Sequence, residues 1–81
     1  MSTHAKTLAK MRHHPRDWRI GDLLSVAAHY GIEVRNEGGS HHLFSHPDVP
    51  KAVCVPAHRP VNPVYVRQFV ALIDQILGAS P

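Results

Sequence analysis

"IEVRNEGGSHHLFSH", residues 32–46, holds an alternating stretch, a glycine pair and a second extended stretch, and the fold turns on how it is read. Ile32 and Val34 alternate with Glu33 and Arg35, the period of two of a strand with one wet face. Gly38 and Gly39 are free to take positive φ, so "EGG" reads as a turn. "SHHLFSH", residues 40–46, is then a second extended segment, and "HPDVPK", residues 46–51, turns again on two prolines. "AVCVP", residues 52–56, is β-branched and short and makes a third strand. Three strands joined by short turns predict an antiparallel meander.

Helical periodicity flanks this meander on both sides. In "GDLLSVAAHYG", residues 21–31, Leu23, Leu24, Ala27 and Tyr30 fall on one face. Asp22 suits the positive first turn, and Gly31 is a ready left-handed cap. After the meander, "AHRPVNP" (57–63) is a rigid connector in which Asn62 is a natural N-cap and Pro63 a natural first helical residue. "PVYVRQFVALIDQILG", residues 63–78, follows with an apolar stripe at Val66, Phe69 or Val70, Ile73, and Ile76 or Leu77. At the front, "STHAKTLAKMRHHP" (2–15) reads either as a short helix or as a frayed basic arm. As a helix it would have Ser2 or Thr3 as cap, Leu8 and Met11 as its stripe, and Pro15 as its end. Trp18 reads as an anchor pinning this segment to the domain. The division is an arm at 1–18, a domain at 19–78 and a tail at 79–81. Two helices cover one face of a three-stranded sheet and leave the other wet, an α+β two-layer α-β-β-β-α sandwich with a short N-terminal helix. That arrangement resembles the double-stranded RNA-binding domain.

Composition narrows the function. The chain has 81 residues, room for one modest core, and a formal charge of +3 that rises steeply in acid because of its eight histidines. A basic small domain points to an anionic partner. No stretch approaches the ~20 apolar residues of a spanning helix, so nucleic acid is favoured over membrane. The first residues lack the apolar core of a signal peptide, and the single Cys54 can form no internal disulfide; both agree with a cytoplasmic setting.

The histidines around residues 41–46 admit three explanations: a metal site, acid–base chemistry on a nucleic acid, or imidazoles that merely tolerate a wet sheet face. Zinc needs three or four converging ligands, and strand alternation works against that by placing His42 and His46 on one face and His41 on the other. Cys54 is on the next strand, without a CxxC or HExxH pairing, so no metal or other cofactor is expected. Phe44, the larger apolar residue, goes to the core and takes His42 and His46 to its side. His41, Leu43 and Ser45 then share the open face with Glu33 and Arg35. An imidazole beside an arginine on such a face can meet a phosphodiester.

Residues 20–77 as a whole resemble the HicA toxins of bacterial toxin–antitoxin modules. The likeness lies in "GGSHHLFSHP", carrying a Gly-Ser-His-x-x-Phe strand after an amphipathic helix, then "VCVPAH", then a helix. The leading arm is similar to one found in a longer branch of that family, while "RPVNPVYVR" (59–67) stands where many members carry a lysine-rich segment. The resemblance implies a fold like that of the double-stranded RNA-binding domain, ribonuclease activity on messenger RNA, and neutralisation by a HicB-like antitoxin. It also implies that the essential histidine is His41, which directly follows Gly39 and Ser40 at the RNA. The chemistry is sound on its own terms. RNA supplies its own nucleophile, the 2′-hydroxyl, and imidazole can move the protons at neutral pH. Arg35, Lys51 and Arg59 are the nearest candidates for phosphate contacts. His42 or His58 could be the second proton partner. The competing readings are a non-catalytic RNA-binding module and a protein-interaction domain.

Overall fold

Gly31 is where helix gives way to sheet. Its φ of +70° lets the chain reverse, and the N–H groups of Gly31 and Ile32 turn back to the carbonyls of Ala28 and Ala27 at 3.4 and 2.9 Å. This is a Schellman closure of the helix end. The computed structural model describes residues 3–36 and 38–79. Within them the order is α1 (Thr3–His13), α2 (Ile20–His29), β1 (Glu33–Asn36), β2 (His41–His46), β3 (Val49–Pro56) and α3 (Pro63–Ala79). The strands form one antiparallel sheet in the order β1-β2-β3. The α+β meander with an N-terminal helix is therefore present as predicted. Thr3 already belongs to α1, and Ser2, the other cap candidate, lies outside the described residues.

The pairing register sets the faces of the sheet. Val34 stands opposite Phe44, and Phe44 opposite Val53, while Arg35, Leu43 and Cys54 form the adjoining row. Directly opposed side chains share a face. The Phe44 row therefore looks to the helices and the Leu43 row looks away, as alternation predicts. Phe44 is wholly buried, and its ring meets Phe69 of α3 edge-on with centroids 5.2 Å apart. Leu23, Val26 and Ala27 of α2 join this core, as do Val66, Phe69, Val70, Leu72, Ile73 and Ile76 of α3. Leu77, offered as an alternative to Ile76, is half exposed.

One strand boundary differs from the sequence reading. β3 begins at Val49, so Pro50 and Lys51 lie inside the strand and the turn shrinks to Pro47 and Asp48. β3 is an edge strand, where a proline can face outward without breaking a ladder bond. The register also slips between Phe44 and His46, which accommodates the extra residues.

The leading segment is a docked helix, not a frayed arm. Leu8 and Met11 are buried in the common core. Arg12 donates two bonds of 2.7 Å to the Asp74 carboxylate of α3, and His4 stacks on His29 of α2 at 4.5 Å between ring centroids. Trp18 packs against the core and donates its indole N–H to the His14 carbonyl. Its own carbonyl accepts the Val61 N–H at 2.7 Å, tying the segment to the connector after β3. At the start of α3 the Asn62 Oδ1 caps the Val64 N–H at 2.9 Å. At the start of α2 the Asp22 carboxylate accepts the Arg19 N–H at 3.0 Å.

Candidate functional site

The turn between β1 and β2 delivers His41. Gly38 and Gly39 take φ of +92° and +57°, a region that side-chain-bearing residues rarely adopt. Asn36 holds the turn from both sides, its Oδ1 accepting the Gly38 N–H at 3.1 Å and its Nδ2 donating to the Gly39 carbonyl at 3.3 Å. The His41 N–H closes back on the Gly38 carbonyl at 3.3 Å. On the other side the Ser40 carbonyl accepts the Ala57 N–H at 2.7 Å, so the turn is also fastened to the connector leaving β3. Asn36 was not singled out from sequence. Its signal was present, since an Asx residue ahead of paired glycines is a turn former.

His41 itself is exposed and opposes Pro56 at the end of the sheet. Its ring makes no hydrogen bond to another described residue. Arg35, exposed and opposite Leu43, is the diagonal neighbour of His41 on the open face, within reach of a long side chain. Arg59 stands three residues beyond Pro56 in the connector, next to a cis Arg59–Pro60 peptide, and lines a cleft with Asp17, Arg19 and Pro60. Lys51 is not at this end. Five residues up β3 from Pro56, it lies roughly 16 Å along the strand from the His41 row. Of the other histidines, His42 is half-buried on the core side, with Nδ1 3.2 Å from the Ser40 carbonyl. His46 accepts the Asp48 N–H at 3.1 Å. His58 is exposed in the connector, two residues past the partner of His41.

The structure thus sets Gly39, Ser40, His41 and Arg35 at one end of the sheet, with His58 and Arg59 following in the connector beyond Pro56, and leaves Lys51 apart. Chemically this end offers a solvent-facing imidazole, a neighbouring guanidinium from Arg35, and backbone opened by glycine where a polymer can approach. Among the described residues no three His, Cys, Asp or Glu side chains come together as a metal-holding group. None of the described helices is long and apolar enough to cross a membrane.

No curated protein and no solved structure matches the chain. A family model described as the HicA toxin of bacterial toxin–antitoxin matches residues 20–76, from the start of α2 to the last buried residue of α3. The match takes in the glycine turn, the His41 strand and the connector, so on sequence and fold together the chain belongs to the HicA toxin family.

Proposed function

We propose that this toxin is an endoribonuclease that cleaves messenger RNA without a metal, with His41 as the acid–base residue. The observation that carries the reading is the placement of His41. It is exposed, its ring is not engaged by another described side chain, and it rests on a turn braced by Asn36 and Ala57 beside Arg35. A braced imidazole with a free ring is suited to proton transfer, whereas one tied into a side-chain network is suited to structure.

In this mechanism His41 removes the proton from the 2′-hydroxyl, whose oxygen attacks the adjacent phosphorus as the bond to the 5′-oxygen breaks. Arg35 and Arg59 hold phosphate oxygens, and the opened backbone at Gly39 and Ser40 lets the strand come close. The leaving oxygen takes a proton from a second group. His58 suits that role better than His42, because it is exposed at the same end of the sheet while His42 faces the core side. The products carry 2′,3′-cyclic phosphate and 5′-hydroxyl ends. A HicB-like antitoxin silences the enzyme by covering this end of the sheet.

The test is expression of the chain alone in a bacterial host, paired with cleavage of RNA in vitro in the presence of EDTA. Growth arrest and cyclic-phosphate products are expected from the native chain, with cleavage lowered about 10²–10⁴-fold in His41→Ala. Equal arrest and equal cleavage by both chains would remove His41 from the mechanism. Activity lost in chelator and restored by a divalent ion would replace the imidazole mechanism with a metal-assisted one.

A further inference from the structure

Three clefts run in sequence away from the His41 end. The first is lined by Arg19, Asp22, Ala57 and Arg59, and its Ala57 is the residue bonded to Ser40. The second shares Arg19 and Arg59 and adds Asp17. The third shares Asp17 and adds Arg16 and Arg67, with His13 and His14 on its wall. Shared lining residues link the three clefts into a track, from Ala57 past the start of α2 to the corner between α1 and α3.

The track is rich in cations that have no carboxylate partner. Arg12 is paired with Asp74, but Arg16, Arg19, Arg59 and Arg67 form no ion pair among the described residues. Asp22 already accepts the backbone N–H of Arg19. Asp17 is held at a φ of +65° in the junction between two clefts and is the other acid on the path. Four guanidiniums against two carboxylates leave the path net positive even with both histidines neutral. Apart from Ile20, prolines and small residues its lining is polar or charged, with no aromatic anchor of the kind that concentrates binding energy at a protein–protein interface. Unpaired guanidiniums spaced along a concave path match a phosphate backbone.

We infer that this track is an extended RNA-binding channel, in which Arg16, Arg19 and Arg67 hold the phosphates of the strand beyond the one that reaches His41. The inference rests on RNA being the ligand of the His41 end, and it gives the docked N-terminal segment a task. Arg16 and Arg19 precede residues 20–76, the part matched by the family model. The segment before that match therefore lengthens the footprint, and long RNAs are held more tightly than short ones.

Binding is measured on the uncleaving His41→Ala chain by fluorescence anisotropy across a salt series, with oligouridylates of about 5 and about 20 nucleotides. The R16Q/R19Q/R67Q variant should bind the long RNA about twentyfold more weakly, with its salt slope reduced by about 2. Affinity for the short RNA should change less than about threefold. A K6Q/K10Q control, whose lysines are exposed on α1 and line none of the clefts, should leave the slope at the native value. Should the triple variant fold poorly by circular dichroism, Arg16→Gln and Arg67→Gln alone should each lower the slope by about 0.7. A long-RNA slope unchanged in all these variants would overturn the inference, whatever His41 does in cleavage. So would normal RNA binding combined with weakened binding of an acidic protein partner. Conversely, absence of cleavage by the native chain, with the length and slope effects intact, would sink the catalytic reading and leave the channel standing.

Discussion

Asn36 shows how one side chain can hold the turn that carries another. Its amide spans the glycine turn, accepting from Gly38 and donating to Gly39, and the turn in turn aims Ser40 and His41. Asn36→Ala removes both bonds, and each hydrogen bond is worth about 1 kcal/mol. The turn loosens while every group proposed to meet RNA is retained. The expected outcome is a kcat lowered about tenfold, a KM within about twofold of native, and partial recovery in Asn36→Asp, which keeps the acceptor for Gly38 but loses the donor to Gly39. A native kcat in Asn36→Ala would show that the glycines and the Ala57 bond hold His41 unaided.

Among the elements, α1 carries the sharpest consequences, because its attachment is partly apolar and partly ionic. Met11 is fully buried, and truncating such a side chain costs about 2–5 kcal/mol. Met11→Ala should therefore lower the urea midpoint substantially with little change in slope; a drop in the slope itself would indicate that α1 had come off as a unit. The ionic part is smaller. Arg12 holds the Asp74 carboxyl below its ordinary value of 3.8, mainly through their hydrogen bonds, and both side chains are nearly half exposed. A pair so exposed contributes about 0.5 kcal/mol. Because the folded carboxyl is depressed, this stability is present above the unfolded value and is lost as pH falls through the folded one. Asp74→Asn should lower the melting temperature by about 2–4 °C at neutral pH. In acid the two melting curves should converge; a gap that persists there would assign the loss to packing.

At the scale of the whole molecule, charge governs encounter. The chain carries a net +3, and its open sheet face presents Arg35 beside His41. A surface that must be silenced is best met by an acidic one, which also speeds association through long-range attraction. Association with the antitoxin should slow markedly between about 0.01 M and 0.15 M salt, as the screening length shortens from about 30 Å to about 8 Å. Arg35→Glu should weaken antitoxin and RNA binding together, while Gln75→Glu on the exposed side of α3 should alter neither. If His41 in the complex still reacted with diethyl pyrocarbonate at the free rate, inhibition would have to act through a surface other than this one.

The sequence by itself determined what depends on near neighbours. Alternation around Phe44 and Val34 assigned the two faces of the sheet, and Gly31 and Asn62 marked helix ends. Each of these follows from backbone preference or side-chain parity within a few residues. What lay beyond that range was decided by tertiary structure. Leu8 and Met11 form too thin a stripe to distinguish a helix from a frayed arm, and α1 is settled by their burial against α2 and α3, with Arg12 reaching Asp74 sixty-two positions away. Pro50 and Lys51 read as turn residues until the edge position of β3 made a proline there harmless. Lys51 and Arg59 carry the same charge, yet Lys51 lies within β3 away from the His41 row, whereas Arg59 is carried by the connector that folds back along Ser40 to the start of α2. Packing and register place charges in space, and neither is contained in the spacing of residues along the chain.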